Sequence, residues 1–214
     1  MWCIPSRQRP HRLNKLIAAC RVTQMSTPAA VLIDDDDPCL TAYLNLPIPE
    51  DWFVSVGEPD GLSGIYNRAF RAHPREAWYG VLCDDVVPET PEWDLKLIEA
   101  AGLDGMAVPA GGETTGGSPH FVLGGDLVRD YGWLALPGLS RLYIDTVWTD
   151  IADERSVYRA MPGVSLRHEH FSNGLALMDA TYRKPLAAED RKIYENWRCK
   201  RRVRPVNDGA ILGN

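Results

Sequence analysis

The chain has 214 residues, of which 45% are hydrophobic and 24% are charged, values that are ordinary for a globular protein with a full core. No apolar run reaches the ~18 residues that a membrane helix needs. At the amino terminus, charged residues follow a very short apolar stretch, which is the reverse of a secretion signal. The sequence therefore predicts a single domain in the cytoplasm, with no membrane partner.

Cysteine usage and net charge exclude further classes. The five cysteines are odd in number and never spaced as Cys-x-x-Cys, which indicates neither a disulfide framework nor a zinc knuckle. The net charge of -6 argues against bulk nucleic-acid binding. Near the carboxyl end, in contrast to the negative net charge, basic residues form a cluster. Such a cluster is also typical of a solvated helix end. Its members are Arg198, Lys200, Arg201, Arg202 and Arg204.

The first half of the chain alternates apolar runs with helical patterns. One helical stripe comprises Leu13, Leu16, Ile17 and Cys20. Ser63 and Thr90 are the N-caps predicted for two later helices. This order favours an α/β fold with a mostly parallel sheet and right-handed crossovers. The predicted strands are Trp2 to Pro5, Ala29 to Ile33, Phe53 to Val56 and the run from Trp78 to Cys83.

The pattern changes after about residue 105. Strands are predicted at Val108 and at Phe121 to Leu123, separated by a glycine- and threonine-rich loop over Gly111 to Gly117. We expect one domain over residues 1–214 with two functional halves. These are a nucleotide half to about residue 105 and a smaller α+β acceptor half over about 106–200, followed by a basic tail at 201–214.

Acidic residues follow two of the predicted strands. Asp84 and Asp85 come directly after the fourth strand, where carboxylates are placed to hold a divalent metal and, through it, a phosphorylated ligand. Capping of the following loop is the alternative. The four aspartates at 34–37 follow the second strand and indicate a solvated or cation-facing loop.

Three later residues are further candidates for chemistry. Asp145 follows an apolar stretch, where its pKa would be raised and suited to general base catalysis, although an ordinary helix N-cap is the alternative. His168 and His170 lie two apart on a predicted extended segment and so point the same way. One of them could complete a metal site with the aspartates.

Several signatures are absent from the sequence. It has no Gly-x-Gly-x-x-Gly, Walker or Gly-x-Ser-x-Gly motif, and the histidines at 168 and 170 lack the spacing of zinc proteases. These absences exclude dinucleotide oxidoreductases, P-loop kinases and serine hydrolases. A nucleotidyltransferase would show a Gly-x-Gly-x-x-x-Arg loop near its start, and this loop is also missing.

Taken in order, these motifs resemble the GT-A glycosyltransferases, and more narrowly small family-two-like enzymes of phages and bacteria. The resemblance extends to about Trp197. It is carried by Pro5-Ser6-Arg7, the acidic loop at 34–37, Asp84-Asp85 with Pro-Glu-Thr-Pro-Glu-Trp-Asp behind it at 88–94, and the late His-x-His.

The resemblance implies a role for each matching residue. Asp85 would bind Mn²⁺ or Mg²⁺ bridging the two phosphates of a sugar nucleotide, with His168 or His170 as the late metal ligand. Asp145 matches the catalytic base, although the family's acidic residue before it is replaced here by Ile144. Asp150 and Asp126 are therefore kept as alternatives. The remaining expected nucleotide contacts are Pro5, Ser6, Arg7, Arg9, Asp34 or Asp35, Asn67 and Asp84.

The implied function is inverting transfer of a sugar from a nucleoside diphosphate sugar, UDP-like, to a hydroxyl group. The basic carboxyl end makes a hydroxymethylated pyrimidine in phage DNA one acceptor hypothesis. A polysaccharide or lipid-linked sugar is the conventional alternative. A sugar-nucleotide binding module without turnover is the alternative from another functional class.

Overall fold

The computed structural model describes residues 1–110, 117–171, 174–176, 178 and 187–203, without the side chains of 202 and 203. Within these ranges, eight strands form one sheet in the order β3-β2-β1-β4-β7-β6-β8-β5. The strands are β1 (Trp2–Pro5), β2 (Ala29–Asp34), β3 (Trp52–Gly57), β4 (Trp78–Val81), β5 (Val86–Pro88), β6 (Met106–Ala110), β7 (Phe121–Gly124) and β8 (Tyr158–His168).

Strand directions make the sheet mixed but mostly parallel, which confirms the predicted fold class. Strands β1 to β4 are parallel, and β7 runs antiparallel to β4 and to β6. Strand β8 is parallel to β6, and the short β5 is antiparallel to β8. The predicted nucleotide and acceptor halves thus contribute strands to one continuous sheet.

Helices cover both faces of this sheet. One apolar core lies under α1 and α4, and the other lies under α3, α5 and α6. The stripe predicted for α1 is confirmed, because Leu13, Leu16, Ile17 and Cys20 are all buried. The helices are α1 (Pro10–Val22), α2 (Leu40–Leu44), α3 (Gly61–Ala72), α4 (Trp93–Ala101), α5 (Gly125–Tyr131), α6 (Ile144–Glu154) and α7 (Ala187–Val203).

Both predicted N-caps are wrong, because each hydroxyl makes a tertiary hydrogen bond instead. Ser63 lies inside α3 and donates to the carbonyl of Leu136 at 3.0 Å. Thr90 precedes α4 by three residues, and its hydroxyl accepts from the backbone N–H of Ser165 at 2.8 Å. The predicted loop at Gly111 to Gly117 lies outside the described residues except for Gly117.

Close packing of β1 on β4 explains a glycine in the middle of a buried strand. A Cβ at Gly80 would lie 2.2 Å from the indole of Trp2, so only glycine admits this ring. The parallel strands β1, β2 and β4 then end at one edge of the sheet, which brings the residues after each strand together. No helix in the described part of the chain is both long and apolar enough to cross a membrane.

Candidate metal and nucleotide site

Asp84 and Asp85 are both buried at this edge of the sheet, with 5% and 6% of their surface exposed. Asp84 accepts a hydrogen bond from the Ser6 hydroxyl at 2.6 Å, and Arg9 lies 3.4 Å from it. Arg9 is also 3.5 Å from Asp85 and offsets part of the charge of the pair. Burial, followed by the charge of Asp85, raises the pKa of Asp84 to about 6.

A tyrosine that the sequence did not single out holds the loop after β1 in place. The Tyr43 hydroxyl accepts from the backbone N–H of Arg9 at 2.8 Å and lies 2.7 Å from the Ser6 hydroxyl. Since the single hydroxyl proton of Ser6 is donated to Asp84, Tyr43 donates to Ser6. This chain of hydrogen bonds fixes the predicted nucleotide loop against the acidic pair.

The register of β5 on β8 brings a histidine to Asp85. Val86 pairs with His168, so the residue before Val86 meets the end of β8. The backbone carbonyl of Asp85 accepts from the Glu169 N–H at 2.7 Å. Nε2 of His168 lies 3.1 Å from Oδ1 of Asp85. The carboxylate and imidazole that the sequence paired as candidate metal ligands are therefore in direct contact.

The contact between Asp85 and His168 fits a divalent cation. Neighbouring ligands of an octahedral ion with bonds of about 2.1 Å lie about 3.0 Å apart. The observed separation of 3.1 Å between the two ligand atoms is close to this value. The described residues include no group of three or more His, Cys, Asp or Glu side chains placed to hold a metal. Donors beyond these two would come from phosphate or water, as is usual for Mg²⁺.

Arg12 and His170 lie beside the contact between Asp85 and His168. Arg12 lies 4.0 Å from Asp85 and donates to the carbonyl of Glu169 at 3.0 Å. The ring of His170 is 5.2 Å from that of His168, and burial lowers the pKa of His170. The structure thus brings both predicted histidines to the acidic pair, with His168 in contact with Asp85.

Asp34 and Asp35 differ in their surroundings, although both were candidates for contact with the nucleobase. Asp34 is buried and its Oδ2 lies 2.6 Å from Arg7. Its Oδ1 is buried and has no hydrogen-bond partner among the described residues. Asp35 is exposed. Arg7 also contacts Asp36 at 2.5 Å, so this arginine is fixed by two carboxylates.

Asp145 lies in the first turn of α6, but the N-cap of this helix is Tyr143. The carboxylate of Asp145 accepts from the Thr146 N–H at 2.8 Å, and burial raises its pKa. The alternative base Asp126 forms an ion pair with Arg129. It comes two residues after Gly124, which pairs with Trp78 at the start of β4, whereas Asp84 and Asp85 follow the end of that strand.

Two other residues predicted from the sequence have contacts within the fold. The alternative base Asp150 accepts from the Tyr194 hydroxyl at 2.7 Å and lies 3.4 Å from Arg198. The amide of Asn67 bonds the backbone of Leu134 and Ala135, which does not support its assignment as a nucleotide contact.

In the basic cluster near the carboxyl end, Arg201 makes contacts with other residues of the protein. Arg201 pairs with Glu154, donates to the Tyr131 hydroxyl at 2.9 Å, and lies over the Trp197 ring at 5.0 Å. The side chain of Arg202 and all of Arg204 are outside the described residues.

Sequence reasoning missed two further residues near the site. His120 is fully buried, and its ring lies 4.8 Å from that of His168. Arg141 is among the charges that act on His170 and on Cys83, the residue before the acidic pair. A lone histidine before a strand and a lone arginine before a helix carry no spacing signal that could have identified them.

No family model and no curated protein matches the chain. Solved structures with a similar fold include a mannosyltransferase from Pyrobaculum calidifontis in complex with GDP-Man and Mn²⁺, at TM-score 0.59 and 11% identity. That match covers 75% of this chain and 53% of the mannosyltransferase, so the chain spans about half of its length.

Two other structures match over more of their own length. Glucosyl-3-phosphoglycerate synthase from Mycobacterium tuberculosis, in complex with Mn²⁺, UDP and phosphoglyceric acid, has a TM-score of 0.60 at 10% identity, covering 92% of this chain and 76% of the synthase. HddC from Yersinia pseudotuberculosis has a TM-score of 0.53 at 11% identity, covering 78% and 92%. The chain therefore has the GT-A glycosyltransferase fold that the resemblance predicted.

Proposed function

We propose that this protein is a metal-dependent, inverting glycosyltransferase that moves a sugar from a nucleoside diphosphate sugar to a hydroxyl group. The observation that carries the proposal is the contact of Asp85 with His168 at the edge where β1, β2 and β4 end. Arg9 and Arg12 lie beside this contact and suit an anionic diphosphate. The Mn²⁺ in two of the similar structures supports the same type of cation here.

Asp85 and His168 are the residues that would hold Mn²⁺ or Mg²⁺, and the His170 ring lies 5.2 Å from that of His168. The ion, when bound, supplies positive charge to the departing diphosphate. Arg9 and Arg12 add positive charge beside it. Asp84 acts on the loop after β1, which its hydrogen bond with Ser6 holds in place.

The loop Pro5-Ser6-Arg7 borders the proposed nucleoside site, and Asp34 supplies its acceptor group. The unpartnered Oδ1 of Asp34 suits an N–H of the base, such as the ring N–H of uracil in a UDP-like donor. Asp145 is the proposed base. It takes the proton of the acceptor hydroxyl as the hydroxyl oxygen bonds to the anomeric carbon and the bond to the diphosphate breaks.

Binding and turnover assays on the wild type and two variants test this function. We expect Mn²⁺-dependent binding of one nucleotide sugar, and transfer that Asp85→Asn lowers by about 100-fold or more. Asp145→Asn should retain donor binding and lose transfer, because it removes only the base. Donor binding without transfer or hydrolysis by the wild type would indicate a sugar-nucleotide binding module. Absence of nucleotide binding would overturn the proposal.

Two acceptor classes belong in the transfer assay. The hypothesis of a hydroxymethylated pyrimidine in phage DNA depends on the basic carboxyl end. Arg198 and Arg201 of that end contact carboxylates of the protein itself, which reduces the charge available to DNA. Hydroxyl groups of a polysaccharide or a lipid-linked sugar need no such charge and form the second class.

A further inference from the structure

His120 lies directly before β7 and is completely buried. The Ser118 hydroxyl donates to its carbonyl at 2.9 Å, which fixes the backbone at this position. Its Nδ1 accepts a hydrogen bond from the backbone N–H of Cys83 at 3.4 Å. In the neutral ring the proton is therefore on Nε2, and this atom is buried without a hydrogen-bond partner among the described residues.

The two contacts of His120 lead to both residues of the proposed metal pair, which is Asp85 and His168. Cys83 immediately precedes the two aspartates, so its hydrogen bond to His120 restrains the start of that segment. On the other side, the rings of His120 and His168 are 4.8 Å apart and inclined at 78°. Edge-to-face packing of this kind restricts how the His168 ring can turn. His120 thus connects the chain that carries Asp85 to the imidazole that Asp85 contacts.

We propose that His120 is a positioning residue, which holds the His168 ring and the backbone before the acidic pair at the separation that a divalent cation requires. The proposal rests on the metal-dependent function proposed above and assigns a role to a residue that has none in it. Groups that orient metal ligands in this way typically change metal affinity by about 10- to 100-fold when they are replaced.

A purely structural role makes a different prediction for the same residue. If His120 only filled space, phenylalanine would serve better, because it has a similar shape and no buried N–H without a partner. His120→Phe should then be about as stable as the wild type, since it also removes the acceptor of the Cys83 N–H, with unchanged metal binding. A positioning role also allows stability to be kept, but requires metal binding to weaken.

The experiment measures Mn²⁺ binding to the free protein by electron paramagnetic resonance, alongside the melting temperature. We expect His120→Phe to bind Mn²⁺ about 10- to 100-fold more weakly with little change in melting temperature, because removal of the unpartnered Nε2–H offsets loss of the acceptor for the Cys83 N–H. His120→Asn should fall between the two, because its side-chain oxygen can replace Nδ1 as an acceptor but cannot replace the ring. If the phenylalanine variant fails to fold, His120→Asn decides.

His73→Phe is the matched control. The His73 ring also packs on an aromatic ring, that of Phe53 at 5.3 Å, but His73 precedes β4 whereas the metal pair follows it. Its Mn²⁺ affinity should equal that of the wild type. Wild-type affinity in both His120 variants would overturn the positioning role and leave the proposed function intact. Absence of Mn²⁺ binding by the wild type would overturn both.

Discussion

Asp84 and Asp85 are neighbours in sequence but have different partners. Asp84 contacts the loop after β1 through Ser6, whereas Asp85 contacts the end of β8 through His168. Both carboxylates are close to Arg9, which keeps a buried pair of like charges tolerable. The pair therefore connects the loop after β1 to the end of β8, with one carboxylate for each side.

Asp34 and Asp35, the two candidates for contact with the nucleobase, give a matched pair of variants. We expect Asp34→Asn to weaken UMP binding by about tenfold or more, since it removes the charge of the carboxylate whose Oδ1 is buried without a hydrogen-bond partner among the described residues. Asp35→Asn should have no effect, because this side chain is exposed. Titration calorimetry with UMP measures both. Equal loss in the two variants would mean that the acidic loop acts only through its overall charge.

Replacement of Asp145 by asparagine should have opposite effects on activity and stability. Burial raises its folded-state pKa above the ordinary 3.8. The folded protein then binds more protons than the unfolded chain between these two values, so stability falls as pH rises through this window. At pH 7, Asp145→Asn should raise the melting temperature while abolishing transfer. A variant that loses transfer and also melts lower would assign Asp145 to structure.

The same shift sets the pH dependence of the reaction. A general base must be deprotonated, so kcat/KM should fall on the acid side with a pKa above that of an ordinary aspartate. A pH profile measured under saturating Mn²⁺ tests this expectation. An acid limb at or below the ordinary value of 3.8 would contradict Asp145 as the base.

At the scale of elements, α7 holds the turn that precedes α6. Asp190 is completely buried and accepts from the N–H groups of Ser140 at 2.7 Å, Arg141 at 2.9 Å and Leu142 at 2.7 Å. Tyr143, with a left-handed φ of 66°, stacks on Tyr194 of α7 at 4.9 Å. This turn leads directly into the first turn of α6, which carries the proposed base.

Loss of the Asp190 carboxylate should therefore affect the turn before the rest of the protein. Asp190→Ala leaves three backbone N–H groups without their acceptor, at a cost on the order of 1–3 kcal/mol or more. Hydrogen exchange at Ser140 to Leu142 should accelerate more than in the core strands, with reduced transfer activity. Glu189→Ala, an exposed neighbour in the same helical turn, is the control. Uniform acceleration across the sheet would indicate global destabilisation only.

Regular elements were predictable from the sequence because their signals are local. The buried stripe of α1 and the strand Trp2–Pro5 match the predicted positions, since periodicity alone defines them. Strand β5 has three residues and exists only through its pairing with β8, 80 positions away in the register of Val87 and Arg167. That pairing brings His168 to Asp85, so the metal pair could be proposed from residue types, whereas its geometry could not.

At the scale of the whole molecule, several arginines gather at the edge of the sheet where β1, β2 and β4 end. Arg9 is buried beside the acidic pair, and Arg7 and Arg12 approach the same edge of the sheet. The basic carboxyl end has a different role in its described part, because α7 packs on α6 and α5 through Arg198 and Arg201. Local charge runs in the sequence do not distinguish these two situations, since both depend on what the fold brings near.

The basic end gives the last prediction, which separates packing from nucleic-acid binding. We expect Arg201→Gln to lower the melting temperature by about 2–4 °C, the shift that corresponds to about 1 kcal/mol at this chain length. It loses the pair with Glu154 and the packing on Trp197 and Tyr131. Affinity for a labelled DNA duplex, measured by fluorescence anisotropy between about 50 and 200 mM salt, should not change. A DNA acceptor requires instead a salt-dependent affinity that the double variant Arg202→Gln, Arg204→Gln weakens. Equal retention of the duplex by the wild type and this double variant would contradict that acceptor.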